Sequence, residues 1–106
     1  MKQAFWMLLI ASLATSIASG AGDVTAGKAA YDRACKSCHG ANGQHNPGIA
    51  KAMKVDMQDL GSSAVQSMSD ADLRKAVTDG FGKMKPVRSI SGADLDNVIA
   101  YMRTFR

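Results

Sequence analysis

The sequence predicts a single, small, all-α domain. The chain has 106 residues, which is room for one domain. Apolar residues recur at helical spacing in the C-terminal part, and no segment alternates strictly enough between apolar and polar residues to indicate a strand. Hydrophobic residues make up 46% and charged residues 21% of the chain, which excludes a disordered tail and a polytopic membrane protein.

Residues 1–21 have the layout of a secretory signal peptide. Lys2 is the only charged residue before Asp23, an apolar stretch runs from Phe5 to Ala11, and small residues follow it. We expect cleavage near residue 20 or 21, which leaves a periplasmic domain of residues 22–106. An uncleaved membrane anchor is the alternative, and the polar second half of the segment disfavours it. A domain of this size has a marginal core, so we expect a cofactor to help stabilise it.

One helix and a turn-rich loop are predicted at the start of this domain. The helix runs from about residue 24 to Cys35, with Asp23 or Thr25 as its N-cap. The loop from Gly40 to Gly48 is rich in Gly, Asn and Pro. Shorter helical pieces are predicted at residues 49–53 and 63–68.

Two longer helices are predicted in the second half of the domain. Both open with an S-x-x-D sequence that resembles a capping box, at Ser69 and at Ser91, and Gly80 ends the first of them. Apolar residues at helical spacing give each helix one apolar face. These residues are Leu73, Ala76 and Val77 in the first helix, and Leu95, Val98, Ile99, Met102 and Phe105 in the second.

The sequence Cys35-Lys36-Ser37-Cys38-His39 contains the residues predicted to bind a cofactor. C-x-x-C-H is the attachment signature of c-type haem. Two thiols three residues apart on a helical turn lie on the same side, where each can add to one haem vinyl group, and the adjacent imidazole can bind the iron. The pattern therefore predicts one haem c, attached through Cys35 and Cys38, with His39 as an iron ligand.

Three other uses of this motif fit the sequence less well. A thioredoxin-like C-x-x-C needs a βαβ setting, and no strand is predicted. A zinc site would need Cys35, Cys38, His39 and His45 together, and adjacent ligands fit poorly into one tetrahedron. A structural disulfide does not explain His39. His45 follows the motif so closely that we expect it to face solvent in a loop rather than to be a second haem ligand.

The second axial ligand is sought among the five methionines that follow the signal segment. Met102 belongs to the apolar face of the last helix. Met53 and Met57 lie near the motif in sequence and are expected to line the haem pocket, whereas Met68 is possible as a ligand. Met84 lies 45 residues after the histidine of the motif, in an irregular loop whose glycines allow close backbone approach.

The domain resembles the small monohaem class I cytochromes c of bacteria over nearly its whole length. The resemblance implies four to five short helices wrapped around one covalently attached haem, with the N-terminal and C-terminal helices crossing. The segments on which it rests are Cys35–Gly40, Pro47-Gly48, Gly82-Lys83-Met84 and Val98–Met102.

This resemblance also implies roles for individual residues. In that family a methionine from a later loop is the sixth iron ligand, which corresponds to Met84. A proline carbonyl accepts a hydrogen bond from the other nitrogen of the haem-binding histidine, which corresponds to Pro47. The two terminal helices cross through a small residue and aromatic rings, which correspond to Gly27 and Tyr31 against Tyr101.

With His39 and Met84 both bound, the iron has no open position, and such a site transfers single electrons. We therefore expect a monomeric periplasmic electron carrier rather than an enzyme. The alternatives are a haem subunit of a larger oxidoreductase, and a haem enzyme or gas sensor with an open sixth position.

Charge indicates the kind of partner. Basic residues fall around the expected haem crevice and favour redox partners with acidic docking faces. The charges are otherwise mixed along the chain, so no nucleic-acid partner is expected. Membrane contact is expected only through membrane-bound redox partners. The basic residues are Lys36, Lys51, Lys54, Lys83, Lys85 and Arg88.

Overall fold

The computed structural model describes residues 22–106, and the predicted signal peptide lies outside these described residues. The described residues form six α-helices: α1 (Val24–Ala34), α2 (Lys36–His39), α3 (Pro47–Met53), α4 (Ser63–Gln66), α5 (Asp70–Asp79) and α6 (Ala93–Met102). The all-α prediction is confirmed, with one helix more than expected because α2 is separate from α1. No helix within residues 22–106 combines the length and apolar character needed to cross a bilayer.

Side-chain caps fix where three of the longer helices begin. Asp23 accepts a hydrogen bond from a first-turn N–H of α1, and Ser69 does the same for α5. Asn46 caps α3, and Pro47 is its first residue, so this helix begins two residues earlier than predicted.

The predicted capping of α6 by Ser91 is wrong. The N-cap is Gly92, which has a φ of 56° and offers no side chain to accept a hydrogen bond. The position of α6 depends instead on burial of its apolar face. The predicted residues of that face are all buried: Leu95, Val98, Ile99, Met102 and Phe105.

Helix α1 crosses α6 at Gly27. A Cβ atom at Gly27 would lie 1.9 Å from the carbonyl oxygen of Asn97 and 3.0 Å from Cβ of Tyr101, so only glycine allows this approach. The side chain of Asn97 also accepts a hydrogen bond of 2.8 Å from the N–H of Asp23. The helix crossing expected from the resemblance is confirmed.

An aromatic cluster fills the crossing. The rings of Tyr31, Tyr101 and Phe105 meet edge to face, with centroids 5.2, 5.3 and 5.0 Å apart. Tyr31 is fully buried, and its hydroxyl donates to the carbonyl of Gly40 at 2.6 Å. Burial raises the pKa of the Tyr31 hydroxyl well above its ordinary value, so the hydroxyl remains a donor. The cluster therefore connects the crossing to the residue directly after His39.

Two arginines attach α5 to the C-terminal segment. Arg74 in α5 binds Asp96 in α6, and Arg103 binds Asp70 at the start of α5. Arg103 also donates to the carbonyl of Met68 at 2.6 Å. The side chain of Met68 packs against the core, so the structure places this methionine on the α5–α6 side.

Candidate haem site

Cys35, Cys38 and His39 lie on one helical turn. Helix α1 ends at Ala34, and the φ of −123° at Cys35 separates it from α2. The N–H groups of Cys38 and His39 both donate to the carbonyl of Cys35, at 3.3 and 3.0 Å. Cys35 is buried, Cys38 is half-buried, and both are free thiols. The structure thus brings together the three residues that the C-x-x-C-H motif predicts.

The environment of Cys35 disfavours dithiol redox chemistry. Burial raises the pKa of the Cys35 thiol to about 11, so this thiol is protonated at neutral pH. A C-x-x-C redox site requires the opposite shift, because the thiolate is the reactive form. Residues 22–106 also lack the βαβ unit that a thioredoxin-like site requires.

The imidazole of His39 is suited to bind a metal. Its pKa is lowered, first by burial and second by the charge of His45, so the ring is neutral at neutral pH. Neutral imidazole is the form that coordinates metals. The Nδ1 atom of His39 is buried and has no hydrogen-bond partner among the described residues.

The expected hydrogen bond between the Pro47 carbonyl and His39 is therefore not formed. Pro47 is the first residue of α3, so its carbonyl is directed along the helix toward the N–H four residues later. The start of α3 is bonded to the motif through Asn46 instead, whose N–H donates to the carbonyl of Cys38 at 2.9 Å.

His45 lies in the loop between α2 and α3 with 32% of its side chain exposed, and it is paired with Asp59. Its Nδ1 lies 2.6 Å from Oδ1 of Asp59, and the same oxygen accepts a hydrogen bond of 3.0 Å from the N–H of His45. These hydrogen bonds lower the pKa of Asp59 below its ordinary value.

Across residues 22–106 no three acidic, Cys or His side chains gather into a possible metal site, so the zinc alternative finds no support there.

Met84 lies on a tight turn beside α3. Phe81 and Met84 exchange backbone hydrogen bonds of 3.0 and 2.9 Å. A Cβ at Gly80 would lie 2.7 Å from the Met84 carbonyl oxygen, so this glycine permits the close return of the chain. Lys83 Nζ donates to the carbonyl of Met53, the last residue of α3, at 2.8 Å. The start of α3 is bonded to the C-x-x-C-H turn, and its end is bonded to the turn that carries Met84. Helix α3 therefore connects the two turns.

Apolar side chains that lie outside the core occur in two segments that follow the C-x-x-C-H turn in sequence, residues 49–57 and 81–84. Phe81 is 67% exposed and Met53 37% exposed. A haem has a broad apolar face that requires apolar side chains around it. The donor set and these side chains both fit a haem c. The residues concerned are Ile49, Met53, Val55, Met57, Phe81 and Met84.

Comparison with known proteins shows the family. The family model described as "Cytochrome C oxidase, cbb3-type, subunit III" matches residues 22–102. The chain belongs to this family of c-type cytochromes. Cytochrome c-554(547) of Halothiobacillus neapolitanus is 33% identical to this cytochrome over 94 residues, which span 81% of this chain and 100% of that protein. The solved structure of the KustC0563 c-type cytochrome has a TM-score of 0.64 at 19% sequence identity, covering 76% of this chain and 96% of that one.

This cytochrome contains covalently bound haem c with its iron, and the haem c prediction is confirmed. The haem supplies the one-electron chemistry, and the protein binds it, orients it and sets its surroundings. The cytochrome transfers electrons to and from redox partners. The structural likeness independently confirms the all-α cytochrome fold.

Proposed function

We propose that this cytochrome is a periplasmic carrier of single electrons, in which Cys35 and Cys38 hold the haem and His39 and Met84 are the axial iron ligands. The observation that carries the proposal is the turn that combines two free thiols with a half-buried, neutral imidazole whose Nδ1 atom is buried. The bond from Lys83 to α3 supports Met84 as the second ligand, because α3 is also bonded to that turn. A His/Met pair leaves the iron no open position and raises its reduction potential relative to two imidazoles.

The visible spectrum of the holoprotein tests this ligation. Protein expressed with the periplasmic haem-attachment system is expected to show a sharp reduced α-band and the weak far-red band of sulfur bound to ferric iron. Met84→Ala is expected to lose the far-red band, to bind CO when reduced, and to have a reduction potential lower by on the order of 0.1 V. Met68→Ala is the matched control, because Met68 packs against the core, and it should keep the band.

Other outcomes would assign the site differently. Loss of the far-red band in Met68→Ala, but not in Met84→Ala, would make Met68 the ligand. A wild-type protein that lacks the band and binds CO rapidly would favour a haem enzyme or gas sensor. A protein without covalent haem would contradict the proposal as a whole.

The distribution of charge supports a docking face for acidic redox partners around α2, α3 and the Met84 loop, residues 80–88. Of the six Lys and Arg residues elsewhere in residues 22–106, four form salt bridges with aspartates: Lys28, Arg33, Arg74 and Arg103. The exposed cations of this face form no salt bridge within residues 22–106, and the exposed Met53 and Phe81 lie in the same segments. These cations are Lys36, Lys51, Lys54, Lys85 and Arg88.

Charge reversal tests this docking face. With anionic hexacyanoferrate(III) as oxidant, Lys51→Glu is expected to slow oxidation of the reduced cytochrome about two- to fivefold at low ionic strength. The difference should shrink as salt is added, because salt screens exposed charges. Lys75→Glu makes the same charge change on α5, where Lys75 also forms no described salt bridge, and should have a smaller effect. Equal effects of the two variants would contradict a local docking face.

The description of the matching family favours a second candidate function, a haem-containing subunit of an oxidase complex. Such a subunit remains bound to its partners, whereas a carrier binds them transiently through a small interface. A tagged chain purified from its native host in gentle detergent distinguishes the two functions. Stoichiometric co-purification of other subunits would favour the complex, and a free monomer would favour the carrier.

A further inference from the structure

We infer that Lys83 is a positioning residue that holds the Met84 loop against α3. The inference rests on the proposed axial role of Met84, and it adds the contact that keeps this methionine in place. Lys83 directly precedes Met84, and its Nζ donates to the carbonyl oxygen of Met53 at 2.8 Å, across 30 positions of sequence.

The carbonyl of Met53 is a suitable acceptor for an ammonium group. Met53 is the last residue of α3, and Lys54 follows it as the C-cap with a φ of 54°. The N–H of Lys54 donates to the carbonyls of Ala50 and Lys51, so this cap does not use the Met53 carbonyl. The last carbonyls of a helix lack partners within it and form the negative end of its dipole, which favours a cation there.

Few other hydrogen bonds hold the centre of this loop. At its exit the N–H of Val87 donates to the carbonyl of Val77 at 2.8 Å, which attaches that end to α5. The paired hydrogen bonds between Phe81 and Met84 lie within the loop itself, and the Phe81 side chain is largely exposed. Among the hydrogen bonds of residues 22–106, only the one from Lys83 joins the 81–84 turn to a helix.

Loss of this bond is expected to increase opening of the loop rather than unfolding of the domain. Each opening removes Met84 from the iron, so the apparent affinity of an external ligand reports the population of the open loop. Because the bond is charged but exposed, its removal is expected to raise that population about three- to tenfold.

Imidazole binding to the ferric holoprotein measures the opening of the loop. Binding is monitored as the loss of the sulfur-to-iron band. Lys83→Met removes the donor but keeps an unbranched side chain, and its imidazole affinity should rise about three- to tenfold over wild type. Lys85→Met makes the same charge change on the other side of Met84, where no hydrogen bond is described, and should stay within about twofold. Lys83→Arg retains a donor and should stay near wild type. The thermal midpoint of the far-ultraviolet signal should be similar in all variants.

Each result has a defined meaning. A rise in imidazole affinity that occurs in Lys83→Met, but not in Lys85→Met or Lys83→Arg, supports the inference. Equal imidazole affinities for Lys83→Met and Lys85→Met overturn the inference about Lys83. If the wild type still shows the far-red band, the proposed ligation by Met84 is unaffected by that result. A wild-type protein without that band overturns the ligation by Met84, and the role of Lys83 with it.

Discussion

Replacement of both Cys35 and Cys38 by alanine is expected to abolish covalent haem attachment completely. The chain has two cysteines, so the double variant has no thiol left to form a thioether. Haem should then be extracted fully by acidified organic solvent and should be absent from the polypeptide on a denaturing gel. Each single variant should retain one bond, and its reduced α-band should lie at longer wavelength because one haem vinyl group stays unsaturated.

Ser37→Ala is the matched control for the cysteine variants, since Ser37 lies between the two thiols. Its hydroxyl is exposed, and its only described hydrogen bond is a long one of 4.0 Å to Sγ of Cys38. This variant should keep both thioether bonds and an unshifted α-band. Solvent-resistant haem in the double cysteine variant would contradict the attachment proposed for Cys35 and Cys38.

Local sequence signals predict where some of the helices begin and end, but not all of them. The S-x-x-D sequence at Ser69 does cap α5, and the helix ends before Gly80 as expected. The same sequence at Ser91 does not cap α6, because Gly92 takes the N-cap position with a positive φ. A pattern of residue types does not distinguish these two cases, since the difference lies in one backbone angle. The early start of α3 was signalled by Asn46-Pro47, an N-cap followed by proline at the first helical position.

In the candidate site, the sequence predicts the contacts between neighbouring residues but not those between residues far apart in the chain. Cys35, Cys38 and His39 are adjacent in sequence, so one motif predicts them and one helical turn assembles them. The pairs His45–Asp59 and Lys83–Met53 join residues 14 and 30 positions apart. Their formation depends on the path of two loops, and sequence periodicity carries no information about loop paths. Met84 as an axial ligand stays a prediction, based on its loop and on the family resemblance.

The helix crossing gives the largest expected loss of stability for a single added methyl group. In an exposed helix Gly→Ala stabilises by about 1 kcal/mol, because glycine has more backbone freedom to lose. At Gly27 the sign should reverse, since the new Cβ would lie 1.9 Å from the Asn97 carbonyl oxygen, and backbone cannot rotate away as a side chain can. Overpacking of this kind costs about 3 kcal/mol or more where the backbone must move. A small domain has only about 0.05–0.15 kcal/mol of stability per residue, so Gly27→Ala removes a large share.

Thermal unfolding of the holoprotein measures this effect, and a fall in the midpoint of roughly 12 °C or more is expected for Gly27→Ala. Gly48→Ala in α3 is the matched control, because the nearest atom to its new Cβ is Oδ1 of the Asn46 side chain at 3.3 Å. That variant should change stability by less than about 1 kcal/mol. If Gly27→Ala were as stable as wild type, α1 and α6 could not be in contact as described. Separation of these helices should also weaken the hydrogen bond from Tyr31 to Gly40, and so loosen the backbone directly after His39.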